Sequence, residues 1–143
     1  MNYMFTIKEW GEKYDSAPKV TLNTSVYVEG LCEMITGEKM HYAKVGLNLS
    51  PSDSLIFKTT VKDETKKLCE KEKWLESICF GVLDVMLVGP MTPINNFTCV
   101  ISLVEIDPRR ASRLAFRFAA RAAVQDFLSK EPYQKIYGWG YNE

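Results

Sequence analysis

Arg110, Arg113, Arg117 and Arg121 follow one another at steps of three, four and four, the spacing that lines side chains along one side of a helix. Arg109 stands immediately before the first of them. A guanidinium presents a planar fork of donors that matches phosphate or carboxylate, a geometry that lysine cannot offer. Between Glu105 and Lys130, six basic side chains face three acidic ones (Glu105, Asp107, Asp126), a local charge of +3. The whole chain is neutral, with 18 Lys plus Arg against 18 Asp plus Glu. A global cationic field is therefore excluded, and any contact with nucleic acid has to come from local clustering. Two other readings of the ridge stand beside phosphate binding. One is a solvated helix face whose arginines pair with acids of residues 62–73 or of the C-terminal tail. The other is docking onto an acidic protein surface.

Groups that would support catalysis are scarce. The chain contains no G-x-x-x-x-G-K-[ST] phosphate loop, no G-x-G-x-x-G and no G-x-S-x-G elbow. His41 is the sole histidine and has no Cys or His at ligand spacing, so no zinc site is expected. Its phase with Ala43 and Val45 puts it at the edge of a core, where a structural or hydrogen-bonding role comes before ligand contact or base catalysis. Asp63/Glu64 and Glu70/Glu72 are carboxylate pairs in a run so charged that a shifted pKa is not expected. A non-enzymatic protein without a cofactor is the expectation. Cys32, Cys69, Cys79 and Cys99 form no C-x-x-C and each sits in an apolar segment, which reads as buried reduced thiols and a cytoplasmic chain. No apolar run approaches the ~20 residues of a membrane span, and the N-terminus lacks the pattern of a signal peptide.

The elements that must hold these groups follow from periodicity. With 143 residues, 46% hydrophobic and 25% charged, the expectation is one folded domain over residues 1–143. Met1 and the short polar end after Tyr141 favour a complete chain over a piece. A short helix is expected from Ile7 to Tyr14, capped by Thr6 and Glu9 and broken at Ser16-Ala17-Pro18. Lys19–Glu29 alternates as a half-buried strand, Gly30 to Lys39 reads as a connection, and Met40–Leu49 alternates again. Ser54–Val61 is a third strand, and the three together predict an antiparallel meander. Residues 62–73 read as a solvated run leading into a helix from Trp74 that stops at Gly89-Pro90. Phe97–Ile106 is a buried strand. The run Arg109–Leu128 is rich in alanine and free of Gly and Pro, which predicts a helix. Leu114, Ala115, Phe118, Ala119 and Ala122 are its apolar stripe, widened by Phe116, Ala120, Ala123 and Phe127. In the tail, residues 129–143, Tyr137, Trp139 and Tyr141 alternate with glycines. They form either a cover over an apolar patch or a strip for base stacking or partner docking.

The order strand, strand, strand, helix, strand, helix brings a family into view. Thr36-Gly37-Glu38-Lys39-Met40-His41-Tyr42, Gly89-Pro90-Met91, Ala115-Phe116 and Ala119-Ala120 stand where domain IV of translation elongation factor G and its eukaryotic counterpart has corresponding features. The chain resembles that domain over residues 18–128. The resemblance implies an α+β fold, a four-stranded, mainly antiparallel sheet with two helices packed on one face. It also implies two tip loops, which in the family reach the decoding centre of the ribosome. Here the first loop holds Glu38, Lys39 and Met40 in place of a glycine-rich pattern. The second holds Glu105-Ile106-Asp107-Pro108-Arg109-Arg110 in place of a His and an Asp-Ser-Ser. Carried over, the candidate nucleic-acid contacts are Lys39, His41, Tyr42, Arg109, Arg110, Arg113, Arg117 and Arg121. The implied partner is the ribosome or another structured RNA. The alternative is a protein partner or a second copy, met through the aromatic tail and the charged faces.

Overall fold

A computed structural model describes residues 20–88, 93–129 and the backbone of 133–135. The expected N-terminal helix, the Gly89-Pro90 stop and the tail's Tyr137, Trp139 and Tyr141 lie outside them. The elements in chain order are β1 (Val20–Leu22), β2 (Val26–Thr36), β3 (Lys39–Pro51), β4 (Ile56–Thr59), α1 (Asp63–Lys71), α2 (Trp74–Met86), β5 (Phe97–Glu105), α3 (Arg113–Leu128) and β6 (Tyr133–Lys135). The fold is α+β. Four strands form one sheet in the order β2-β3-β5-β4, and β1 pairs antiparallel with β6 in a two-stranded sheet.

The long hairpin dominates the sheet. Eleven cross-strand pairs join β2 to β3 without interruption, from Val26 opposite Leu49 to Thr36 opposite Lys39. Two residues close it, and Gly37 takes the first position with φ of 62°, where a side chain would be strained. Residues 30–36, expected as a connection, are therefore strand. Gly30 is what the sequence pattern misreads. A Cβ there would run into the Ala119 carbonyl and come within 2.7 Å of the Ala123 amide nitrogen, so glycine lets α3 lie directly on β2.

The meander expectation is corrected. β4 does not pair with β3; it lies parallel beside β5, which is inserted between the two. A parallel pair needs a long crossover, and α1 and α2 supply it. The register between β3 and β5 slips at Gly46/Leu47, so Ser102 is an extra residue and its hydroxyl accepts from the Asn48 side-chain amide at 2.9 Å.

The core lies between the sheet and the helices. Ala43, Val45, Leu47 and Leu49 of β3 and Phe97, Cys99 and Ile101 of β5 point inward and are buried. From α2, Leu75, Ile78, Cys79, Val82, Leu83 and Met86 meet them, as the helical period predicts. Trp74 stacks at a tilt on Phe116 of α3, centroids 5.1 Å apart. All four cysteines are buried and unpaired. Burial alone pushes the Cys99 thiol well up and is the main cause that pushes Cys69 to about 11.

Residues 62–73 are mostly helix, not loop. Asp63–Lys71 is a third, short helix with exposed charges and only Cys69 buried. Lys73 then adopts φ of 63°, ending α1 and opening α2, with its carbonyl accepting from the Ser77 amide and hydroxyl. A left-handed lysine is strained by its Cβ. Lys73→Gly is expected to raise stability by about 0.5–1 kcal/mol, read as a higher urea midpoint with an unchanged slope.

Candidate nucleic-acid interface

At one end of the sheet, the β2–β3 turn meets the loop between β5 and α3. The Tyr42 amide donates to the Arg110 carbonyl at 2.9 Å, which fixes the two segments side by side. The loop is built locally. The Asp107 carbonyl accepts from the amides of Arg110 and Ala111, and its carboxylate Oδ1 accepts from the Arg109 amide at 2.9 Å. Such Asp turns compete with helix. For this reason α3 begins at Arg113 and not at Arg109. Ser112 is its N-cap, accepting from the Ala115 amide at 3.0 Å.

His41 ties the two segments from within. It is buried, with Nε2 2.8 Å from the Thr36 hydroxyl and Nδ1 2.7 Å from the Ser112 hydroxyl. Both ring nitrogens are engaged, so this histidine positions the tip and presents nothing to solvent. Tyr42 donates its hydroxyl to Glu105 at 2.6 Å, and the Arg110 guanidinium lies 4.6 Å above its ring. Arg110 also pairs with Asp107 at 2.8 Å and Glu33 at 3.5 Å. An open groove of about 490 Å³ between the loops is lined by Glu38, Lys39, Met40, Asp107, Arg109 and Arg110.

The arginines separate into two groups. Arg110 stands off the helix, so the ridge on α3 is Arg113, Arg117 and Arg121. Arg117 makes a two-pronged pair with Asp84 of α2, Nε to Oδ2 at 2.6 Å and Nη2 to Oδ1 at 2.7 Å. Its guanidinium also sits 5.8 Å from the Phe80 ring, and that of Arg121 lies 5.3 Å from the Phe118 ring. Arg113 is exposed and donates to the Glu72 carbonyl at 3.3 Å. Among the described residues, pairing of the ridge with acids thus occurs at Arg117, and its partner is in α2 rather than in residues 62–73; the acids of the tail lie outside the described residues. Sequence reasoning missed Asp84. The signal was there: Asp84 is the one charged residue of α2 beyond its first turn, one turn after Phe80. The expected stripe of α3 also shifts. Ala115, Phe116, Ala119, Ala120, Ala123, Val124 and Phe127 are buried, whereas Leu114 is 38% exposed.

Lys39, Arg109 and Arg113 remain exposed. Among the described residues no carboxylate lies within ion-pairing distance of these three. Arg110 adds a fourth cation whose charge is already balanced by two acids. Hydrogen bonds from Arg110 and from the Arg109 amide hold the Asp107 carboxyl below the usual aspartate range. Because the folded value is the lower one, this link is intact above the unfolded value and is lost as pH falls through the folded one. The Arg109 amide and Arg110 Hε resonances are therefore expected to shift together with the Asp107 carboxyl, with a midpoint below that of an ordinary aspartate. Separate midpoints in an NMR titration would break the assignment.

No protein-family profile matches the chain, and neither does any curated protein. Among solved structures, the chain is similar to the crystal structure of a protein from Thermus thermophilus, with a TM-score of 0.68 at 21% identity. The match covers 82% of this chain and 18% of that one, so the likeness is one of fold, to a small part of a larger molecule. Among the described residues no His, Cys, Asp and Glu side chains gather as a metal site, and no helix is long and apolar enough to cross a membrane.

Proposed function

We propose that the chain is a non-catalytic binding domain of the elongation factor G domain IV kind, which contacts structured RNA through its tip. Lys39 and Tyr42 from the hairpin, Arg109 and Arg110 from the β5–α3 loop, and Arg113 from the start of α3 form the contact. The observation that carries this reading is that Lys39 and Arg109 line one groove between the two tied loops, with Arg113 exposed at the start of α3, and none of the three is paired with a carboxylate among the described residues. Cations held on two tied loops suit the phosphates of a folded RNA, to which two of them bring forked guanidinium donors. Tyr42, stacked under Arg110, adds an aromatic face beside them. The ribosome is the target that the resemblance to domain IV suggests.

Co-sedimentation with small ribosomal subunits across a salt series tests this. The protein is expected in the pellet at low salt and in the supernatant as salt rises. A protein that stays in the supernatant at the lowest salt removes the ribosome from the proposal.

A further inference from the structure

The helices cover one face of the sheet, and the other face carries apolar groups that nothing in the described residues covers. Tyr27, Leu31 and Ile35 recur at every fourth position of β2 and are 47%, 53% and 67% exposed. Met40, opposite Ile35 in the register, is 49% exposed. Between them on the same face stand Glu29 and Glu33.

Among the described residues, β2 is also an edge of the sheet. Edges are usually blunted by shortness, proline, lysine or a bulge, because their outward amides and carbonyls can pair with another strand. The opposite edge, β4, follows that rule: it has four residues and carries Lys58. β2 does not. It runs for 11 residues without Pro or Lys, and its register with β3 has no break. Its outward charges are both acidic. The Tyr27 hydroxyl donates to Glu29 at 2.7 Å; the cations stand farther off, Lys44 from Glu29 and Arg110 from Glu33 each at 3.5 Å, and the carboxylates keep 43% and 64% side-chain exposure.

We infer that β2 is a docking edge for an extended protein segment that adds as a fifth strand. The pattern of β2 states the chemistry of that segment. Opposite Tyr27, Leu31 and Ile35 it places apolar side chains, and opposite Glu29 and Glu33 it places lysine or arginine. An RNA strand is refused by the two carboxylates, and a second copy paired antiparallel about Leu31 would bring Glu29 against Glu33. The docking edge adjoins the tip at Met40 and at the Arg110–Glu33 contact, but it stands whether or not the tip binds RNA.

The test uses a fluorescein-labelled peptide, Val-Thr-Lys-Thr-Val-Thr-Lys-Thr-Val, and its counterpart with Glu in place of both Lys. Anisotropy is expected to show the lysine peptide binding roughly tenfold or more tightly than the glutamate peptide. The Glu29→Lys/Glu33→Lys variant, checked for an unchanged melting curve, is expected to reverse that preference. Hydrogen exchange on the bound protein is expected to slow at β2 amides. Equal affinity for the two peptides, no binding up to millimolar peptide, or protection elsewhere would each overturn the inference. A dimer in sedimentation equilibrium that Leu31→Lys dissolves would assign the edge to a second copy instead.

Discussion

Gly30→Ala is expected to lower stability by about 3 kcal/mol, and Gly30→Val to leave little folded protein at room temperature. The cause is the contact between β2 and α3. Even the single carbon of alanine would occupy the position of the Ala119 carbonyl and crowd the Ala123 amide. These are backbone atoms of a helix, so they cannot turn aside as a flexible side chain would. The whole of α3 has to lift from the sheet, and Phe116, Ala120 and Val124 lose packing with it. Gly37 is the internal control. Nothing lies within 4 Å of a Cβ there, so Gly37→Ala is limited to the cost of its φ of 62°, about 1 kcal/mol. Urea melts followed by circular dichroism should show the greatest damage for Gly30→Val, less for Gly30→Ala and least for Gly37→Ala. A Gly30→Ala midpoint equal to that of Gly37→Ala would mean that α3 does not lie on β2 as described.

The second large effect concerns the tip. Reversing Lys39→Glu, Arg109→Glu and Arg113→Glu together is expected to weaken binding to a structured RNA by at least ~100-fold at low salt. It should also flatten the log–log salt dependence by about 2.7, roughly 0.9 per phosphate contact removed. The three side chains are exposed and touch no carboxylate among the described residues, so the folded state should tolerate the change. Arg117→Gln separates this from a general charge effect. Arg117 is held by Asp84 and is 44% exposed at its side chain, so its loss should cost about 1 kcal/mol of stability or less. RNA affinity should then stay within about threefold of wild type. If Arg117→Gln damages binding as much as the tip reversal does, the contact runs along α3 and not at the loops.

Several features could be read before any coordinates. The alternation of Ala43, Val45, Leu47 and Leu49 and the helical period of α2 each encode a buried face locally, and both occur as read. The α+β fold class was legible for the same reason. What failed depends on partners distant in sequence or on hydrogen bonds that periodicity does not sense. β4 carries no mark of whether it will join β3 or β5, because strand pairing is chosen by the whole sheet. Gly30 looks like the start of a loop until α3 is placed over it. Arg110 fits the ridge spacing, yet the turn made by Asp107 removes it from the helix. At the tip, Lys39, Tyr42 and the Arg109–Arg113 segment were legible as neighbours only through the resemblance to domain IV. The inward turn of His41 toward Ser112, 71 residues away, was not.

The most direct measurement is the affinity of the wild-type protein for a structured RNA hairpin as a function of monovalent salt. Three free cations at the tip predict a slope of log K against log salt of about −2.7. A slope near zero, or no binding at the lowest salt, would contradict a phosphate-contacting tip.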